Sequence, residues 1–240
     1  MISNLWARIV NKVLGTRFRT KTEYYKPFKG DSFVLMFHEI EKNPTTDKFS
    51  TSIKKFVSII DEINEKFGFI EPSSLFTNKG ALLTFDDGYS DIFTIVFPLL
   101  KQRNIPFLVF LTTDFIGSKG YLTWEQISEL NADPLCYFGA HTMSHPKLRF
   151  SKNSNIEILN SISIIQDKLK EKIKYFAYPY GTFFACSRKN QNEVKNSGVE
   201  YAFSAIPGYL NSYAQKNKYF LPRFDGANLD MNKFTLGEKL

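Results

Sequence analysis

Continuous apolar runs of strand length alternate with segments of helical period along most of this chain, and no other feature restricts its fold so strongly. FVLMF (33–37), ALLTF (81–85), PFLVFLT (106–112), CYFGA (136–140), KYFAY (174–178), VEYAFSA (199–205) and YFLPRF (219–224) are the strand candidates. Most are apolar at successive positions, so both faces are expected to be covered, as in a parallel sheet flanked by helices. Between the first two runs, Ile53, Phe56, Val57, Ile60, Ile63 and Phe67 make a helical stripe, with Ser52 placed to cap its start and Gly68 its end. DIFTIVFPLLKQRN (91–104) reads as a helix that Pro98 can kink. Thr123 with Gln126 reads as a capping box for a short helix through Leu130, and Ser154 with Glu157 as another for the long helix after it.

The pattern amounts to about seven or eight βα units without an internal linker or repeat. The 240 residues suit one large α/β domain, since α/β barrels commonly occupy about 200–250 residues. Hydrophobic residues are 43% and charged residues 23%, a globular mixture that argues against extensive disorder. The net charge of +7 favours anionic partners. No ribonucleoprotein, zinc-finger or basic-heptad signature accompanies it, so nucleic acid is not an expected partner. Cys136 and Cys186 are the only cysteines, and the default expectation is a reduced, disulfide-free protein.

Residues 1–28 are read as a separate basic arm ahead of a domain spanning 29–240. In the arm, Ile2, Leu5, Trp6, Ile9, Val10, Val13 and Leu14 recur at helical spacing, with Arg8 and Lys12 on the other side and Arg17, Arg19 and Lys21 beyond. Such an amphipathic helix can pack on a barrel, or residues 2–21 can lie on an anionic membrane surface. It lacks the apolar core and cleavage site of a secretory signal, and the expectation is a cytoplasmic protein, peripheral on the inner face of the membrane.

Three strand ends carry residues suited to chemistry. ALLTF ends in Asp86, Asp87 and Gly88; if it is a barrel strand, both carboxylates lie at the face where barrel enzymes build their sites. A turn there, with Gly88 giving backbone freedom, could bring both side chains to one cavity, although Asp-Gly is also a common turn dipeptide. CYFGA is followed by His141 and His145, whose spacing of four allows both to meet one metal ion; two His and one Asp would complete a zinc-type site with a position open for water. KYFAYPYG ends in Pro179, Tyr180 and Gly181, which reads either as a rigid aromatic loop or as a source of oxyanion-binding backbone N–H groups, with Tyr178, Tyr180 and Phe183 as sugar-stacking walls. His38, the remaining histidine, ends the first strand.

In that order, TFDDGYSD, HTMSH and FAYPYG resemble the motifs of the polysaccharide deacetylases (carbohydrate esterase family 4, the NodB homology domain), in the branch with permuted motif order. WEQISEL and LPRF extend the likeness over about residues 30 to 228. The resemblance implies a distorted (β/α)7-type barrel and hydrolysis of the N-acetyl group of a GlcNAc-type sugar, free in a glycan or in a lipid-linked precursor. Carried over by motif, Asp87, His141 and His145 hold a divalent metal, commonly Zn2+, Asp86 is the general base, and the Tyr180 N–H binds the oxyanion. The chain departs from the commoner pattern twice. No histidine follows His145; the branch that FAYPYG resembles uses an N-terminal histidine as general acid, which implies His38, with Glu39 and Asp225 as candidate carboxylate partners; and Ala177 stands where an arginine is usual, with Arg223 as the expected substitute. Two other readings keep the same scaffold: a non-catalytic carbohydrate- or membrane-binding module, and a hydrolase of formamides or other amides.

Overall fold

The computed structural model describes residues 32–42 and 50–229; residues 1–28, read from the sequence as an amphipathic arm, lie outside them. β1 (Ser32–Phe37) leads into a small parallel pair, β2 (Glu39–Glu41) with β3 (Ser50–Ser52). The main sheet continues with β4 (Ala81–Phe85), β5 (Phe107–Leu111), β6 (Cys136–Ala140), β7 (Tyr175–Ala177) and β8 (Tyr201–Phe203), all parallel to their neighbours in the order β1-β4-β5-β6-β7-β8. On the far side of β1, β9 (Tyr209–Leu210) pairs antiparallel with its first residues and β10 (Phe224–Asp225) parallel with its later ones.

One short segment joins the two edges of this sheet. Leu221 bridges Phe203 of β8 in parallel, donating to Ala202 O at 2.8 Å and accepting from Ser204 N at 2.7 Å. Three residues later Phe224 lies opposite Leu35 of β1. Pro222 and Arg223, between the two pairings, are where the segment changes partner; a proline that cannot donate to a ladder suits that break. The expected distorted barrel is therefore closed by a bent segment rather than by a regular last strand.

Strand alternation sorts the core into two parts. Phe33, Leu35, Phe37, Leu83 and Phe85 face a large cluster shared with the helices. Val34, Leu82, Leu108, Phe110, Ala177 and Phe203 form a smaller cluster inside the curl. The helices on the outside are α1 (Ile53–Lys66), α2 (Phe97–Gln102), α3 (Trp124–Asn131), α4 (Ser154–Leu169), α5 (Arg188–Asn196) and the short α6 (Ser212–Lys216). Among the described residues none of them is long and apolar enough to cross a membrane. Both cysteines are free and buried.

Local signals behave as read in most places. Ser52 accepts from Lys55 N at the start of α1, and Thr123 with Gln126 forms a reciprocal capping box on α3. The kink anticipated at Pro98 takes the form of a π-helical turn over Ile92–Val96, in which Phe97 N donates to Ile92 O, running directly into α2. The Ser154–Glu157 box does not form. Asn153 is the N-cap of α4 and makes no side-chain cap bond, Ser154 Oγ donates to Glu193, and Glu157 reaches a different loop. α5 was not anticipated, because RKNQNEVKN buries only Asn190 and Val194 and has no apolar stripe to reveal it.

Phe56 of α1 locks the helix to the sheet, its ring edge-on to Phe37 at 5.1 Å and 5.9 Å from Phe85. Phe56→Ala should lower the free energy of unfolding by about 3–5 kcal/mol in urea titrations, since the cavity it leaves is walled by strand residues that cannot collapse.

Candidate active site

Along β4, Leu82 and the buried Thr84 point into the curl, and Asp86 continues that alternation one step past the strand. Asp86 N still bonds Phe37 O at 2.9 Å, so its position is fixed by the ladder. Continued extension would turn Asp87 outward. Instead Asp87 takes a left-handed backbone, φ 72, and Gly88 comes next at φ 81, so the chain reverses and the second carboxylate returns to the same cavity. Gly88 is suited to its place by its left-handed backbone, which a side chain would strain, and a Cβ there would also press on the Leu111 side chain.

β6 delivers the histidines in a similar way. His141 N extends the ladder to Leu111 O at 2.9 Å, and its ring nitrogen Nδ1 lies 2.8 Å from Ala177 O. A carbonyl only accepts, so Nδ1 carries the hydrogen and the Nε2 lone pair faces the cavity. Thr142 (φ 69) and His145 (φ 59) are both left-handed, and Thr142 Oγ1 accepts from His145 N at 3.1 Å, closing a tight loop that brings the second ring beside the first. Left-handed non-glycine residues cost about 1–3 kcal/mol each and concentrate where function requires them. Asp87, Thr142, His145 and Tyr180 (φ 60) are four such residues around one cavity.

Asp87 Oδ1 lies 3.6 Å from His141 Nε2 and 3.4 Å from His145 Nε2. Among the described residues this trio is the one group of His, Cys, Asp or Glu whose ligand atoms all fall within 4.8 Å of each other. Asp87 Oδ1 is also buried without a hydrogen-bond partner. An orphaned carboxylate oxygen facing two imidazole nitrogens is the donor set a divalent cation needs, so the residues fit a metal. Burial, and then repulsion from Asp86, pushes the Asp87 carboxyl up to about 7. Burial lowers His141 to about 3 and also lowers His145, so both rings are neutral and able to ligate.

Arg223 is 1% exposed and grips Asp86 with both arms, Nη1 to Oδ1 and Nη2 to Oδ2, each at 2.7 Å. Its Nε donates to Ser204 O at 2.8 Å, and its guanidinium lies 5.4 Å from the centre of the Phe110 ring. Burial alone would raise the Asp86 carboxyl; the Arg223 guanidinium, helped by His141, instead holds it well below the usual carboxylate range. Arg223, expected from the sequence to act on Asp86, is in direct contact with it.

Tyr180 is half exposed, its ring 4.9 Å from that of His145 with Lys147 Nζ above it at 5.3 Å. Its N–H bonds to none of the described residues. Tyr178, expected as a sugar wall, is instead a core residue, 1% exposed with its hydroxyl donating to Tyr219 O. His38 is half-buried where β1 ends, near enough for its charge to bear on Asp86 and His145. Asp225 accepts from Ala227 N and Asn228 Nδ2, capping the turn after β10. Sequence reasoning missed Glu157, whose carboxylate bonds Met143 N, Ser144 N and Ser144 Oγ between the two histidines. The capping pattern had assigned it to its own helix.

The family model described as polysaccharide deacetylase matches residues 76–202, just over half of the chain. A poly-β-1,6-N-acetyl-D-glucosamine N-deacetylase of Staphylococcus aureus is 25% identical over 176 residues, covering 66% of this chain and 58% of that protein. The chain spans about half the length of the curated relatives it matches. Among solved structures, IcaB from Ammonifex degensii superposes with a TM-score of 0.72 at 24% identity over 83% of this chain and 94% of that one. The polysaccharide deacetylase BC0361 from Bacillus cereus gives 0.75 at 18% identity over 85% of this chain and 67% of that one. These likenesses establish the fold.

The electrostatics of the cavity lead to two expected outcomes. A carboxyl whose folded-state pKa is raised supports the fold at low pH and loses that contribution as pH rises through its folded value. Asp87 should therefore weaken the cation-free protein as pH climbs through about 7. Added Zn2+ should raise Tm more at about pH 8 than at about pH 5.5, and Asp87→Asn should flatten that difference in thermal melts. Arg223→Ala strands a buried carboxylate and should cost about 3–5 kcal/mol in denaturant unfolding, beyond any effect on turnover.

Proposed function

The chain belongs to the polysaccharide deacetylase family, and we propose that it is a metal-dependent N-deacetylase that removes acetyl groups from a GlcNAc-type sugar, in a glycan or a lipid-linked glycan precursor. The observation that carries this reading is the unpartnered Asp87 oxygen facing His141 and His145, next to a second carboxylate fixed by Arg223. The curated relative that acts on poly-β-1,6-N-acetyl-D-glucosamine supports the choice of sugar.

Asp87, His141 and His145 would hold the cation, with zinc favoured by the two imidazoles and one carboxylate. When bound, such an ion supplies Lewis acidity, which lowers the pKa of water and polarises an amide carbonyl. Asp86, kept ionised by Arg223, accepts the proton of the attacking water as oxygen bonds to the acetyl carbon. The Tyr180 N–H donates to the oxygen on which charge develops. His38 gives a proton to the sugar nitrogen as the C–N bond breaks, releasing acetate and a free amine. Half-exposed Tyr180 offers a ring against which the sugar can lie. Docking of residues 2–21 on an anionic membrane belongs to the same reading, supported by their apolar spacing and basic residues.

Purified, zinc-loaded protein should release acetate from N-acetylated oligosaccharides, and a chelator should stop it. Release of formate instead, or deacetylation insensitive to chelator, would sink the reading. Asp86→Asn should lower kcat by about 10²–10⁴-fold. His38→Ala should do the same while bound zinc, read by metal analysis, is retained.

A further inference from the structure

Glu157 takes no part in the proposed chemistry, yet it is joined to the segment that carries both histidines. We propose that Glu157 is a positioning residue for the cation site: from the first turn of α4, its carboxylate holds residues 142–145 in the conformation that turns His141 and His145 toward Asp87. This rests on the reading that those three residues hold a divalent cation.

The segment between the histidines belongs to no helix or strand, and two of its residues, Thr142 and His145, hold left-handed backbones that an untethered chain would leave. It is gripped from both sides. Its carbonyls are taken by the turn after β5, where Thr113 N donates to Thr142 O at 3.2 Å and Asp114 N to Met143 O at 3.0 Å. Its amides are taken by Glu157, whose Oε2 accepts from Met143 N at 3.0 Å and Ser144 N at 2.9 Å while Oε1 accepts from Ser144 Oγ at 2.7 Å. Both carboxylate oxygens are thus used on two adjacent residues, and hydrogen bonds to an ionised acceptor are the strong kind.

The anchor is itself rigid. Ile158, the next residue, is 0% exposed, and Ile165 two turns on is equally buried, so α4 cannot slide to follow the loop. Local preference would have placed Glu157 on the N-terminus of its own helix, which goes without a side-chain cap. A residue that gives up its local role to order a loop of candidate ligands marks a place where function overrides local consistency. Partners that orient ligands typically change metal affinity by about 10–100-fold when removed.

The test uses the full chain, with Zn2+ affinity read by competition against a chelating dye and ligand geometry read from the visible bands of the Co2+ form. Glu157→Ala should weaken Zn2+ binding by about 10–100-fold and alter the Co2+ bands. Glu157→Gln, which keeps the length and one accepting oxygen, should restore part of the affinity; Ser144→Ala should lose less than Glu157→Ala. A purely structural role would lower stability in chelator without moving Zn2+ affinity or the Co2+ spectrum of the folded protein, and that result overturns the proposal. If Glu157→Ala does not fold, the Gln and Ser144 variants carry the same comparison, and wild-type affinity in both overturns it. If the wild-type chain binds neither ion, the cation reading fails and this inference falls with it; if only the variants match wild type, the cation reading stands and this inference alone fails.

Discussion

The buried pair of Arg223 and Asp86 joins the fold to the site. Arg223 sits in the bent segment that closes the barrel between β8 and β10, and its guanidinium donates to Asp86, Thr84 Oγ1 and Ser204 O. It therefore ties β4, β8 and the closing segment together at one end of the barrel. A buried ion pair is weak evidence of stability, because desolvation can match the Coulombic gain. Its value here is geometric: it fixes both oxygens of one carboxylate, so that the adjacent one is left facing the histidines.

That division of labour resolves the adjacency of Asp86 and Asp87. Strand alternation accounts for one inward carboxylate, and the left-handed turn at Asp87 and Gly88 supplies the other. The same device recurs at Thr142 and His145 after β6 and at Tyr180 after β7. Each strand carries its residue to the cavity edge, and a strained backbone then aims the side chains of the loop beyond it. Barrel strands provide rigid placement, while the loops provide direction.

Much of this was readable from residue order. The continuous apolar runs located β1, β4, β5, β6, β7 and β8, because doubly buried strands leave no polar face to confuse the pattern. The grouping of Asp87, His141 and His145 was legible because they fall at strand ends, and they do converge. Arg223 was singled out by the absence of a motif arginine, and its guanidinium contacts both oxygens of Asp86. The parts that were not legible depend on long-range partners. Glu157 had a sufficient local explanation in its own helix, Tyr178 looked like its aromatic neighbours until burial separated them, and α5 is held by Asn190 and Glu193 contacts rather than by an apolar face.

The charges of the cavity also bear on which ion suits it. Arg223 cancels Asp86, and His141 and His145 are neutral, so among these five residues Asp87 is the uncompensated one and resists ionisation until about pH 7. A monovalent cation would bring these residues to neutrality and leave them no net charge with which to attract a developing oxyanion. With a divalent cation these residues would keep one positive charge in a buried setting, which would favour the charged transition state over the neutral amide that precedes it. Arg223 sets that balance. Were Asp86 free of it, the cavity would hold two carboxylates, a divalent ion would only neutralise them, and the preference for the transition state would be lost.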